Sequence, residues 1–273
     1  MTSIGLWRRG VAAAGCLTVF AFFTAEVPAG QQAPSAKDWS TVIEMLRSPD
    51  PVVRVSVACA RNVFNASAAP AIPALVELLE DAEPVAPEVC REDHRRWWGD
   101  EQPITPGEAA ARALVHIGSA ALDPLLKTLA HSSAVARRNA AWALGALDDQ
   151  RAVMPLVGLL RDSDPNVREQ TAWALGAMND ARALQPLVGA LRDTAAGVRR
   201  QAAWALGAIN DANAVDGLVA SLKDSDARVR EQSAWALGAI GDGRAGAGLS
   251  FALKDTEARV RRQAAWALGA IGD

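Results

Sequence analysis

The sequence predicts an all-α protein, an α-solenoid of about seven helix pairs with a 31-residue period. Two observations support this fold class. Tryptophan recurs every 31 residues, at Trp142, Trp173, Trp204, Trp235 and Trp266. Each tryptophan lies in a segment with apolar residues at helical spacing, and a second segment of the same kind precedes it. A constant period of this length is typical of stacked repeat units.

One repeat shows how a helix pair is encoded. Helix A at 152–162 and helix B from Val167 onward are separated by Ser163, Asp164 and Pro165. Asp164 suits an N-cap, and Pro165 suits the first helical position, where no N–H is needed. Each helix B is followed by a residue that tolerates the left-handed conformation, and these residues form one column: Asn179, Asn210, Gly241 and Gly272.

The same phase extends back to the start of the array. The predicted helix pairs occupy 38–65, 70–117, 119–148, 150–179, 181–210, 212–241 and 243–273. The second pair carries about 20 extra residues between its helices, which predicts an insertion at 85–105.

The block around each tryptophan is similar to the HEAT-like repeat of the phycobilisome (PBS) lyase type. The resemblance is carried by Val-Arg-x-x-Ala-Ala-x-Ala-Leu-Gly-x-Ile-Gly-Asp, and it is stronger over 118–273 than over 38–117. It implies a right-handed superhelix whose B helices line the concave face. The family includes scaffolds, bilin lyases and deoxyhypusine hydroxylase-like enzymes, so the repeat alone does not name a function.

Residues 1–29 have the layout of a secretory signal peptide. Arg8 and Arg9 precede an uncharged apolar run at 11–25, and Val27-Pro28-Ala29 suits cleavage after Ala29. The apolar run is shorter than the ~20 residues of a membrane span, although an uncleaved anchor is the alternative. We therefore expect an exported, periplasmic or extracellular protein that is not held at the membrane after cleavage. Residues 30–37 are the predicted linker, and 38–273 the solenoid.

Charge and composition narrow the classes of partner and chemistry. With 31 acidic and 28 basic residues the formal net charge is −3, whereas a nucleic-acid protein needs a basic stripe. None of the three histidines, His94, His116 and His131, is followed by Glu, so the His-Glu motifs of the hydroxylases are missing. We expect no catalytic residues, no metal and no cofactor. Enzyme activity, as a bilin lyase or hydroxylase, is an alternative only through the family.

A helical wheel separates a core stripe from an outward face of helix B. At 100° per residue, the core stripe of one repeat consists of Val167, Thr171, Ala174, Leu175 and Met178. Trp173 lies about 140° from the middle of that stripe. Two interpretations follow. Each indole packs on the adjacent B helix, over the gap left by Ala172 and Gly176, or the indoles form aromatic platforms in a groove.

Side-chain amides lie one turn before the tryptophans, at Asn139, Gln170, Gln201, Gln232 and Gln263. Each amide offers a donor and an acceptor. Amides and indoles in register resemble the peptide groove of armadillo proteins, where amides hold the peptide backbone and indoles shape side-chain slots. The predicted function is therefore a non-enzymatic scaffold or adaptor that binds a protein or extended peptide in this groove. A glycan is the alternative ligand, because tryptophan platforms with Gln and Arg also suit pyranose rings.

Two further columns are charged. The first alternates in sign through Arg138, Glu169, Arg200, Glu231 and Arg262, which predicts ion pairs across every repeat boundary. The second consists of Arg137, Arg168, Arg199, Arg230 and Arg261. We expect it to pair with the aspartates that recur in the turns.

Two features concern the ends of the array. Cys59 occupies the tryptophan column of the first helix B, next to the repeat whose insertion contains Cys90. An oxidising compartment permits a disulfide between them, which would tie down the insertion. At the other end, the last repeat carries no polar substitution on the side where a further repeat would stack. We therefore expect self-association through residues 243–273.

Overall fold

The computed structural model describes residues 36–60, 63–90 and 103–272. The predicted signal peptide at 1–29 and the linker residues 30–35 lie outside this part, as do residues 91–102 of the insertion. Within the described ranges the chain forms fourteen α-helices, and its β-pairing is a single antiparallel bridge between Val85 and Ile104. The predicted all-α fold is confirmed.

The helices follow one another as α1 Ala36–Leu46, α2 Pro51–Ala58, α3 Ile72–Leu78, α4 Pro106–Ile117, α5 Leu122–Thr128, α6 Ala134–Leu147, α7 Val153–Leu159, α8 Pro165–Met178, α9 Leu184–Ala190, α10 Ala196–Ile209, α11 Val215–Ser221, α12 Ala227–Ile240, α13 Gly246–Ala252 and α14 Ala258–Ile271. Short 3-10 turns precede the A helices, for example Gln150–Ala152 before α7. None of these helices is long and apolar enough to cross a membrane.

The chain divides into two compact units, residues 1–124 and 125–273, and α5 spans their boundary. In the first unit α2 and α3 both pack against α4, and α1 packs against α2. The centre of this unit consists of fully buried side chains, among them Leu46, Leu75, Leu79, Ile104 and Leu114. Asp50 caps α2, because its Oδ1 accepts a hydrogen bond from the Val52 N–H at 2.8 Å.

The start of α1 differs from the prediction. The helix begins at Ala36, so residues 36–37 of the predicted linker at 30–37 belong to the first helix. Alanine and lysine favour helix, and this propensity extends the helix backwards from the apolar pattern that starts at Trp39.

The insertion leaves and re-enters the first unit at one place. The backbones of Val85 and Ile104 exchange hydrogen bonds of 2.8 and 3.0 Å, and both side chains are buried. The next residue, Thr105, caps α4 in a reciprocal box with Glu108. Cys90, buried at the end of the turn Pro87–Cys90, is joined by a disulfide to Cys59, with Cα atoms 5.9 Å apart. The base of the insertion is therefore closed by a backbone bridge and tied to the end of α2.

We expect the disulfide to contribute substantially to the stability of the first unit. Replacing Cys59 and Cys90 by alanine should lower the free energy of unfolding by about 3–4 kcal/mol, because the unfolded chain regains the freedom of a loop of 31 residues. Urea unfolding with and without reductant measures this, and reductant should destabilise the wild type but not the double variant. Two free thiols in the unreduced, unfolded chain cleaved after Ala29 would contradict the pairing.

In the second unit long and short helices alternate. Each long helix, α6, α8, α10, α12 and α14, packs against the next long helix, and each short helix from α7 onward packs against the long helix that follows it. The predicted core stripe is confirmed, since all its members on α8 are buried. The long helices are thus the B helices, and they form one continuous layer.

The predicted helix ends are also confirmed in the second unit. Asp164 caps α8 by accepting from the N–H groups of Asn166 and Val167, and Pro165 is the first helical residue. The residue after each of the last four B helices adopts positive φ, as predicted for Asn179, Asn210, Gly241 and Gly272. Asp148 does the same after α6, which the sequence pattern did not indicate. The right-handed superhelix stays a prediction.

Candidate functional site

A repeated Arg–Asp clamp joins consecutive repeats of the second unit. Arg199 donates from Nε and Nη2 to the two carboxylate oxygens of Asp224, at 2.7 and 2.8 Å. Its Nη1 donates to the carbonyl oxygens of Asp193 and Thr194, at 2.9 and 3.2 Å. The same bidentate pair recurs in Arg137–Asp162, Arg168–Asp193 and Arg230–Asp255. One guanidinium therefore holds its own turn and the turn of the next repeat, which confirms the predicted structural role of these columns.

The turn carboxylates are held in their anionic form. Hydrogen bonds from Arg137 lower the pKa of Asp162, against the opposing effect of burial, and Arg230 lowers the pKa of Asp255 in the same way. In the inter-repeat turns, the hydrogen bond from Arg182 lowers the pKa of Asp180 to about 2. These groups stay ionised near neutral pH, so their chemistry is that of structural anions rather than proton donors.

Glycine allows adjacent B helices to approach closely. A Cβ atom on Gly176 would lie 2.7 Å from Cα of Ala205 and 2.8 Å from Cζ3 of Trp204. A Cβ atom on Gly207 would lie 2.9 Å from Cα of Ala236 and 2.6 Å from Cζ3 of Trp235. Gly238 has the same relation to Ala267 and Trp266. One edge of each of these indoles thus covers the glycine of the preceding B helix.

The gap at Gly176 that the sequence indicated is therefore real, and Trp204 of the next repeat fills it. Trp142 and Trp173 pack differently, with parallel rings whose centroids are 6.3 Å apart. The indoles of the second unit consequently serve the packing between repeats, as the first of the two interpretations predicted.

The same indoles also reach solvent. Trp142, Trp173, Trp204 and Trp235 are half-buried, and Trp266 is 49% exposed. Within the described residues, none of these five indole N–H groups donates to a protein acceptor, and none of the half-buried four is enclosed without a partner. Trp204, Trp235 and Trp266 therefore pack along one ring edge, and the N–H groups of all five indoles are left without a protein acceptor in the described part of the chain.

The glutamine amides lie beside these indoles without protein partners. Gln170, Gln201, Gln232 and Gln263 are half-buried, and their side chains form no hydrogen bonds among the residues that the structure describes. Amides and indoles occupy adjacent turns of the same helices. We call the outward surface of α6, α8, α10, α12 and α14 the B face.

Asn139 was predicted to belong to the outward amide column, and the structure contradicts this. Its side chain is buried, with 3% exposure, whereas the glutamines are half-buried. Asparagine is one methylene shorter than glutamine, and its Oδ1 accepts a hydrogen bond from Nη2 of Arg138 at 3.4 Å. The outward amide column therefore consists of the four glutamines.

The alternating charges pair less regularly than predicted. Arg200 binds Glu169 at 2.9 Å, because residue 197 is glycine and the Glu169 carboxylate occupies the space beside it. Glu231 instead lies 3.8 Å from Arg259, which is the residue two repeats after Gly197 in the same column. Within the described part, Arg262 forms no ion pair. The prediction of a pair at every boundary is wrong because the residue at the start of each B helix differs.

A further column of residues, at the start of each B helix, was not predicted to lie on the outward side. It consists of Val135, Asn166, Gly197, Arg228 and Arg259. On the helical wheel it lies about 20° from the tryptophan column, so the same wheel places it on the B face. Two of its members are arginines, and they give the end of the B face near α12 and α14 its charge.

The last repeat exposes apolar side chains. Leu253 is 40% exposed, whereas the equivalent Leu222 in the preceding repeat is 4% exposed because the next repeat covers it. Phe251 and Trp266 are exposed as well. Self-association through residues 243–273 stays a prediction.

No group of three His, Cys, Asp or Glu side chains with the geometry of a metal site occurs among the described residues. Of the three histidines, His116 and His131 belong to the described residues and His94 does not.

Comparison with known proteins settles the family. Models of HEAT repeats match residues 122–203 and 189–269, which together exceed half of the chain. The chain is a HEAT-repeat protein. The PBS lyase HEAT-like repeat also matches residues 108–131, so the resemblance predicted from the tryptophan block is confirmed. No protein of curated function matches the sequence.

Two solved structures with TM-scores above 0.5 share the fold of this HEAT-repeat protein. Kap95p, in a structure with RanGDP, gives a TM-score of 0.60 at 17% identity, over 94% of this chain and 38% of Kap95p. Escherichia coli YibA gives 0.57 at 21% identity, over 89% of each chain. The CpcE–CpcF phycocyanin lyase of Nostoc sp. PCC7120 gives 0.46 at 23% identity, over 90% of this chain and 98% of that one. At these identities the likeness to Kap95p and YibA indicates the fold alone.

Proposed function

We propose that this HEAT-repeat protein is an exported, non-enzymatic scaffold or adaptor that binds an extended polypeptide along the B face. The observation that carries the proposal is the ladder of unpartnered polar groups. Four glutamine amides and the neighbouring indole N–H groups recur once per repeat without protein partners in the described part. An extended peptide offers free backbone N–H and C=O groups along its whole length, which match such a ladder.

Export is supported by two features. Residues 1–29 have the layout of a secretory signal peptide, and the first unit contains the disulfide between Cys59 and Cys90. Disulfides persist in oxidising compartments and are rare in the cytosol, so periplasmic or extracellular location is consistent with both.

A role in binding rather than catalysis fits the chemistry of the B face. The face consists of amides, indoles, alanines and arginines, with two glutamates engaged by arginine. Amide, indole and guanidinium groups are not nucleophiles, and both glutamate carboxylates are paired with arginine. Among proteins of the same fold, Kap95p binds RanGDP.

The amide ladder can be tested separately from the packing. Gln170, Gln201 and Gln232 should be replaced together by alanine, which keeps the helices and removes three donor–acceptor groups. The matched control replaces Gln150, Gln185 and Asn213, three exposed amides outside the B face. Both variants should retain the helicity and urea midpoint of the wild type.

The probe is a displayed library of random 12-residue peptides selected against the wild-type protein. We expect the selected peptides to bind the control variant as they bind the wild type. They should bind the B-face variant at least tenfold more weakly, since each lost hydrogen bond is worth about 0.5–1.5 kcal/mol. Selection of no peptide, or equal binding to both variants, would contradict the proposal.

A further inference from the structure

The B face differs in charge from the rest of the protein. The chain has a formal net charge of −3. The charged side chains on the B face are five arginines and two glutamates, a net of +3, namely Arg138, Glu169, Arg200, Arg228, Glu231, Arg259 and Arg262. A face of opposite sign to the whole molecule selects ligands by charge.

The excess positive charge lies towards α12 and α14. Both glutamates of the B face are already engaged, Glu169 by Arg200 and Glu231 by Arg259. Arg228 and Arg262 are exposed and form no ion pair within the described residues. The Nε atom of Arg259 is buried without a hydrogen bond. Arg228 and Arg262 therefore offer guanidinium donors that no carboxylate of the described chain binds, whereas Arg259 lies 3.8 Å from Glu231.

The repeat spacing restricts the conformation of a ligand that follows the face. Packed helices stand about 8–10 Å apart, and the glycine–alanine contacts keep the B helices close. A polyproline II chain rises about 3.1 Å per residue with three residues per turn, so residues i and i+3 lie on the same side about 9 Å apart. In a β-strand the residues i and i+3 point to opposite sides. The polyproline II chain is therefore the extended conformation whose period matches the repeat.

We infer that the B face binds an acidic polypeptide segment in the polyproline II conformation, with carboxylates three residues apart opposite Arg228 of α12 and Arg262 of α14. This inference rests on the proposed function and specifies its partner. The backbone of a polyproline II chain forms no internal hydrogen bonds, so its carbonyl groups are free to accept from the indole N–H groups and the glutamine amides. The carboxylates of the ligand supply the negative counter-charge that Arg228 and Arg262 do not have within the described chain.

Three 15-residue peptides test the charge, each with five copies of a tripeptide: Pro-Pro-Glu, Pro-Pro-Gln or Pro-Pro-Lys. Binding is measured by tryptophan fluorescence on the full chain. We expect the Glu peptide to bind about tenfold more tightly than the Gln peptide, and the Lys peptide to bind more weakly still. An isomer of the Glu peptide with its five glutamates contiguous tests the three-residue register, and it should bind less tightly than the regular peptide.

The variant Arg228→Gln/Arg262→Gln supplies the structural control. Both side chains are exposed and unpaired, so the urea midpoint should not change, whereas the preference for Glu over Gln should disappear. Equal binding of the three peptides would overturn the acidic ligand and leave the proposed function standing. Failure of all three, alongside binding by peptides selected from the random library, would overturn the polyproline II ligand alone. Tighter binding of polygalacturonate than of the Glu peptide, lost in the same variant, would replace the polypeptide by an acidic glycan.

Discussion

Replacing Arg199 by alanine is expected to lower the free energy of unfolding of the second unit by about 2–4 kcal/mol. The substitution removes two hydrogen bonds to Asp224 and two to backbone carbonyls. It also leaves Asp224, whose side chain is 10% exposed, without its counter-charge. An unpaired carboxylate with so little exposure is costly, so the loss exceeds that of a surface ion pair.

Arg261→Ala is the matched control for this clamp. Arg261 donates from Nη1 to the carbonyl oxygens of Asp255 and Thr256, as Arg199 does in its own turn, but it binds no carboxylate among the described residues. We expect its removal to cost about 1 kcal/mol or less. Urea unfolding followed by tryptophan fluorescence measures both variants. If both variants lost the same free energy of unfolding, the stabilisation by the clamp would come from the backbone hydrogen bonds and not from the contact with the next repeat.

Adding a single methyl group at Gly207 should destabilise the second unit by about 1–3 kcal/mol. In Gly207→Ala the new Cβ would meet Cα of Ala236 and the ring of Trp235, so α10 and α12 must separate. Alanine stabilises a helix by about 1 kcal/mol relative to glycine. Destabilisation would therefore show that the cost of the new contacts exceeds this gain.

Gly269→Ala makes the same substitution in the same column of the last repeat. No atom lies within 4 Å of the new Cβ there, so the helix propensity acts alone and the variant should be stabilised by about 1 kcal/mol. Opposite signs for the two variants, measured by thermal or urea unfolding, would identify the close contact as the cause. Stabilisation of both would contradict the role of glycine in setting the helix spacing.

The repeat could be predicted from the sequence because its signals are local and recur. The apolar period, the capping Asp164 with Pro165 and the helix-ending Asn179 each depend on neighbours a few residues away. The apolar pattern recurs every 31 residues, so each of the five B-helix assignments from α6 onward is checked against four others. The core stripe of helix B followed from the wheel for the same reason.

The ion pairs, burial and packing on the B face depend on contacts between repeats. These contacts were harder to predict from the sequence than the helices themselves. Whether Glu169 reaches Arg200 depends on the absence of a side chain at Gly197, three positions away from the charge column. The burial of Asn139 depends on a difference of one methylene group from glutamine. The dual role of the indoles, packed along one edge and open at the N–H group, required the positions of Gly176 and Gly207 against the following tryptophans.

The central claim is that a ligand lies along the B face and meets the indole N–H groups. The direct measurement is the NMR spectrum of the protein with ¹⁵N-labelled tryptophan, titrated with the Pro-Pro-Glu peptide and with peptides selected from the random library. The account predicts that the indole N–H signals of Trp173, Trp204, Trp235 and Trp266 shift on binding, while that of Trp39, buried in the first unit, does not. Shifts confined to Trp97 and Trp98 of the insertion, or an unchanged spectrum at saturation, would contradict it.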